Sequence, residues 1–171
     1  MRTLIALVGM SILGLLFGCK THQPSSGDNS GMLSAMPEGK LTEVSYGYMA
    51  MMLPTVGNPT ITRGEDGKAT LTFNHYNEER TFEVSDILFD EARKIIEEEE
   101  MYKYASDYTA QFNDMILDGY SWHFSAKFES GEAISTGGSN ASPNGNGLHR
   151  IDSLLTDVAM KCLKSAGELM E

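Results

Sequence analysis

Apolar and polar residues alternate from Tyr120 to Glu129. Tyr120, Trp122, Phe124, Ala126 and Phe128 fall at every second position, with Ser121, His123, Ser125, Lys127 and Glu129 between them. Period two is the spacing of a strand with one buried face. Ser130-Gly131 predicts a two-residue turn, with glycine supplying the positive φ of a tight hairpin, and Glu132 to Ser135 starts the returning strand. The hairpin carries the only tryptophan of the chain, so its inward face is a large part of the predicted core.

The same period recurs upstream. Leu41 to Met52 is a candidate first strand, with Val44, Tyr46 and Tyr48 on one face and Met49, Met51 and Leu53 on the other. Pro54 and Pro59 bracket a predicted loop, and Ile61 and Arg63 lead into Gly64-Glu65-Asp66-Gly67-Lys68, which is strong turn chemistry. Ala69, Leu71, Phe73 and His75 then alternate with Thr70, Thr72, Asn74 and Tyr76. Asn77 to Arg80 predicts a polar connection, after which Phe82 and Val84 resume the alternation.

Elsewhere the period lengthens to that of a helix. Ser85-Asp86 offers an N-cap with Asp90 and Glu91 in the first turn, and Leu88, Phe89, Ala92, Ile95, Ile96 and Tyr102 form an apolar stripe. Leu148, Ile151, Leu154, Leu155, Val158, Ala159, Cys162 and Leu163 form a second one. Between the elements, Ala105 to Leu117 has no clear period, and Thr136 to Gly147 reads as a long glycine and asparagine loop. The predicted fold is α+β in two layers: an antiparallel sheet of about five or six strands with two helices on one face, in the order β-β-β-β-α-β-β-α.

Charge removes some functions from consideration. The formal net charge of the 171 residues is −11, which disfavours nucleic acid and anionic headgroups, since phosphate binding needs a basic face. The N-terminus offers a different route to a membrane. Arg2 precedes an apolar run from Leu4 to Phe17, short for a spanning helix and of the form of a secretory signal. It ends in Leu16-Phe17-Gly18-Cys19, which resembles a bacterial lipobox; the resemblance implies cleavage before Cys19 and acylation of its thiol. Residues 1–18 are then a signal peptide, 19–36 a flexible tether of about 20 to 25 Å, and 37–171 one domain. By resemblance, Lys20 directly after the cysteine implies the outer membrane, with the periplasmic face favoured over the cell surface. Acylated Cys19 makes membrane lipid one partner, and an envelope protein is another expected one. Cys162 is then left without a disulfide partner and is expected as a buried thiol.

Asp118-Gly119-x-Ser121-Trp122, Gly131 and Ser135-x-Gly137-x-x-Asn140-Ala141-x-Pro143 followed by a helix resembles a pattern of small bacterial lipoproteins of the Bacteroidetes kind. No activity comes with that resemblance. Asp152-Ser153-Leu154 also resembles the short O-glycosylation motif of secreted Bacteroidetes proteins, although a helix interior is a poor acceptor.

Candidate chemistry is sparse. Glu97 to Glu100 point in different directions around a helix and read as a solvated face. Met49, Met51 and Met52 have strand spacing without a histidine beside them, which favours packing over copper. No cofactor or metal is expected. Ser121, His123 and Ser125, on the polar side of the tryptophan strand, and Asn140 in the glycine-rich loop are the candidate surface or ligand residues. The chain reads as a membrane-anchored binding or accessory module without an identified catalytic set. The alternatives are an envelope hydrolase using His123 with Ser121, Ser125 and Asp107, Asp114 or Asp118, and a structural assembly subunit. Serines two positions from His123 lie about 7 Å away along a strand, too far for a direct proton relay.

Overall fold

The computed structural model describes residues 32–50, 54–110 and 119–169. Six strands form one sheet: β1 (Leu41–Met49), β2 (Gly57–Arg63), β3 (Ala69–His75), β4 (Glu78–Val84), β5 (Ser121–Phe128) and β6 (Ala133–Ser139). Helix α1 (Ile87–Glu98) follows β4 and α2 (Gly147–Ser165) follows β6. The spatial order is β4-β3-β2-β1-β5-β6, and every neighbouring pair is antiparallel. The α+β architecture and the element order are those the sequence predicts. The first strand joins the sheet at its centre, between β2 and β5.

One row of side chains shows how the sequence selects the buried face. Phe82, Leu71, Ile61, Val44, Ala126 and Ile134 lie opposite one another across all six strands, and all but the half-buried Phe82 are at most 2% exposed. Both helices lie on this face, packed against β1 and each other. Leu88, Phe89, Ala92, Ile95 and Ile96 are the buried stripe of α1, and Gly147, Ile151, Leu155, Ala159 and Leu163 that of α2.

Four local expectations are corrected. The hairpin after β5 closes over Glu129, Ser130 and Gly131 rather than two residues. Gly131 N–H donates to the Phe128 carbonyl and Phe128 N–H to that of Glu132, both at 3.0 Å. Gly131 has φ +86°, the left-handed position of a three-residue turn with a bulge. Asn77 to Arg80 is mostly strand: β4 starts at Glu78, and the turn is Tyr76-Asn77, both with positive φ, as a two-residue hairpin requires. Pro59 lies inside β2, buried, where the register shifts between Gly57 and Thr60; a bulge is where a strand can lose an N–H donor. The glycine-rich segment is shorter as a loop, because β6 continues through Ser139.

The helix ends also differ from the sequence pattern. Ser85 Oγ accepts from Ile87 N–H at 3.4 Å, whereas the Asp86 carboxylate binds Arg63 Nη1 at 2.6 Å and caps no amide. Glu97, Glu98 and Glu100 are exposed, as a solvated face requires, and Glu99 is half-buried; Arg150 of α2 bridges Glu98 and Glu99, at 2.7 and 2.9 Å. That fork ties the end of α1 to the start of α2.

Candidate functional site

Ser121, His123 and Ser125 do share the open face of β5, with His123 exposed and both serines half-buried. No hydrogen bond links the three. The His123 ring lies across Gly47 of β1: a Cβ at Gly47 would stand 1.9 Å from His123 Cε1 and 2.7 Å from Asn58 Oδ1. Asp107 sits beyond β6, bridged to Gly137, and its carboxylate accepts from the N–H and hydroxyl of Thr109 at 3.0 and 2.6 Å. Asp114 and Asp118 lie outside the described residues, as do Cys19, Met51 and Met52.

Asn140 stands apart from that group. Its Oδ1 accepts from Tyr120 N–H at 2.9 Å, and its own N–H donates to the Tyr120 carbonyl at 3.0 Å. With φ +56°, a conformation asparagine tolerates, it closes the end of the β5–β6 ladder.

The open face carries a pattern that appears only once the register is known. Thr81, Thr72, Thr60, Ser45, Ser125 and Ser135 lie opposite one another from β4 to β6. Hydroxyls therefore cross the whole sheet in one row, spaced by the roughly 4.8 Å between strands. Thr72 and Thr81 are hydrogen-bonded at 3.0 Å, and in the next row Lys127 pairs with Glu43 at 2.9 Å.

The more enclosed site lies on the other face, where α2 leaves one end of the sheet uncovered. Two adjoining clefts of about 300 and 290 Å³ share Tyr46 and Tyr48 of β1 and Asp152 of α2. Tyr104, Tyr120, Trp122 and His149 line the first, and Val56, Asn58, Pro59 and Thr156 the second. The aromatic rings are positioned by the strand alternation: Tyr46 and Tyr48 sit opposite Phe124 and Trp122 in the β1–β5 register. Tyr48 is 41% exposed and stacks on Tyr120, centroids 5.8 Å apart and planes 24° apart. Trp122 donates its indole N–H to the Ala141 carbonyl at 2.7 Å, which holds the loop after β6 against the aromatic wall.

Electrostatics single out the shared residues. Burial raises the Asp152 carboxyl above its ordinary value, against the opposing pull of its hydrogen bond from Thr156 (3.2 Å) and of nearby His149. Burial, followed by the charges of Asp152, Tyr48 and Tyr120, pushes the Tyr46 hydroxyl up to about 12. Tyr104 is also pushed up to about 12, by burial and then by Glu99 and Tyr108. Both phenols stay protonated donors across the ordinary pH range.

A third cleft, of about 390 Å³, lies between Leu41, Arg63, Phe89 and Arg93. Its two arginines are engaged: Arg63 by Asp86 and the Phe89 ring, Arg93 by the carbonyls of Pro37 and Gly39 and the Phe128 ring. Cys162 is free and half-buried, and burial raises its pKa, away from a reactive thiolate. Asp152, Ser153 and Leu154 lie inside α2. Among the described residues, no three His, Cys, Asp or Glu side chains gather where they could hold one metal ion.

Sequence reasoning missed the aromatic cleft. The signal available was the surplus of tyrosine in the first strand and at Tyr104 and Tyr120. The pairing of these positions with Asp152, about a hundred residues from β1, has no local spacing to reveal it. No known protein family and no curated protein matches this chain.

Proposed function

We propose that this protein is a lipid-anchored binding module of a bacterial cell envelope, tethered through acylated Cys19, and that the cleft between β1, β5 and α2 is where it binds. The observation that carries the reading is the convergence of Tyr46, Tyr48 and Asp152 on both adjoining hollows. Concave surface lined by apolar and aromatic side chains with a few polar groups is the usual makeup of a small-molecule site. Ser121, His123 and Ser125 support surface contact rather than hydrolysis, because nothing joins a nucleophile to a base among them. The row of hydroxyls on the open face gives an envelope protein partner a polar surface to dock against.

The test is native mass spectrometry of the full-length protein purified from its own envelope in a mild neutral detergent. A discrete mass increment released on denaturation is expected, and it should be lost in Tyr48→Ala. A wild-type mass without any increment, together with no thermal stabilisation by envelope extract, would overturn the reading.

A further inference from the structure

The ligand class can be argued from the charges around the cleft, an inference that rests on the cleft being a binding site. Asp152 lines both hollows. Its hydrogen bond comes from the neutral hydroxyl of Thr156, and no lysine or arginine forms an ion pair with it among the described residues. His149, one turn away on α2, is the nearest basic group acting on it. By contrast, Glu98, Glu99, Glu83, Glu43 and Asp86 all pair with lysine or arginine. A half-buried carboxylate facing aromatic rings is therefore left with no ion pair to a lysine or arginine among the described residues.

The rings themselves favour the same sign. Tyr48 and Tyr120 are stacked nearly parallel, and Tyr48 keeps much of its surface open. The face of an aromatic ring carries the negative end of its quadrupole, so such walls attract organic cations. The net charge of −11 adds a long-range field that draws cations in and repels anions.

We propose that the cleft takes a ligand bearing an organic cation, an ammonium or guanidinium group, seated between the Asp152 carboxylate and the rings of Tyr46, Tyr48 and Tyr120. Asp152 supplies the counter-charge, the rings exclude water, and the raised phenol of Tyr46 remains available as a donor to the rest of the ligand. Nothing covalent is involved.

The experiment uses the sole tryptophan, Trp122, as reporter, since it lines the cleft. The full-length chain in maltoside detergent is titrated with choline and, in parallel, with 3,3-dimethylbutan-1-ol, which has the same shape without the charge; methylguanidinium serves as a second cation. The cations should bind about tenfold tighter than the neutral alcohol, as a desolvated cation–π contact with a carboxylate behind it allows. Asp152→Asn should reduce that preference while keeping its far-UV circular dichroism, and Tyr48→Ala should weaken the cations more than the alcohol. Equal binding of cation and alcohol, a preference undiminished in Asp152→Asn, or no response to any probe would each overturn the cation assignment. The binding-module reading would then stand or fall separately, on the native mass increment.

Discussion

Gly138 has no room for a methyl group. A Cβ there would stand 2.9 Å from Tyr108 Cβ and 3.0 Å from both Trp122 Nε1 and the Ala141 carbonyl, the two atoms whose hydrogen bond holds the loop on the aromatic wall. Gly138→Ala should therefore cost about 1–3 kcal/mol and shift Trp122 emission to the red, measured by urea denaturation followed through fluorescence. Asp152 makes a prediction of a different kind. Its folded pKa lies above the ordinary 3.8, so the folded state favours the protonated carboxyl, and stability falls as pH rises from the unfolded value through the folded one. Asp152→Asn removes that loss. Relative to wild type, the variant should gain stability as pH rises above the ordinary 3.8 and keep that gain at higher pH, read from denaturation midpoints across the range. A variant that loses ground over the same interval would show that Asp152 is stabilised as the anion.

Among the elements, the helices and strands were legible where burial imposed a period. The β5 alternation and the α1 stripe from Leu88 to Ile96 are both read correctly from residue types, because one face of each meets the core; Tyr102, the last residue of the predicted stripe, lies beyond the helix, which ends at Glu98. The turns were less so. Glu129-Ser130-Gly131 and Tyr76-Asn77 are decided by which residues take positive φ, and Tyr76 is not a residue that composition nominates for it. Pro59 misled for a related reason: a proline usually ends a strand, but the β2 bulge accommodates it. The acidic run at the end of α1 is exposed at Glu97, Glu98 and Glu100, but its bridge to Arg150, about fifty residues away, has no local spacing to reveal it. That clamp can be tested directly. The hydrogen bond from Arg150, with a smaller one from Asn146 N–H, lowers the pKa of Glu99; stability from this source is present above the unfolded pKa and lost as pH falls through the folded one. In Arg150→Ala the Glu99 titration midpoint should rise towards the ordinary carboxylate value, as side-chain carbon NMR would report, and acid unfolding should become less steep. An unmoved midpoint would mean that the fork between the helices does not persist in solution.

For the whole molecule, the architecture was legible in the sequence but the cleft was not. Tyr46, Trp122, Pro143 and Asp152 come from four separate stretches of chain, and only the β1–β5 pairing and the packing of α2 bring them to one place. The reading of residues 1–36 makes its own prediction. Metabolic labelling with palmitate should mark the wild-type chain and leave Cys19→Ala unlabelled, and the variant should move from the membrane to the soluble fraction, because multiple acyl chains are what make such anchoring stable. Unchanged membrane association in Cys19→Ala would remove the lipid anchor from the account.

The cleft as a binding site is tested most directly by the emission of Trp122 when the small-molecule fraction of the envelope is added to purified full-length protein. The wild type should show a saturable change in intensity or wavelength, and Tyr48→Ala should show little or none. Spectra that stay the same with and without the fraction, or a response that Tyr48→Ala retains in full, would contradict the assignment of this cleft as the site where the protein binds.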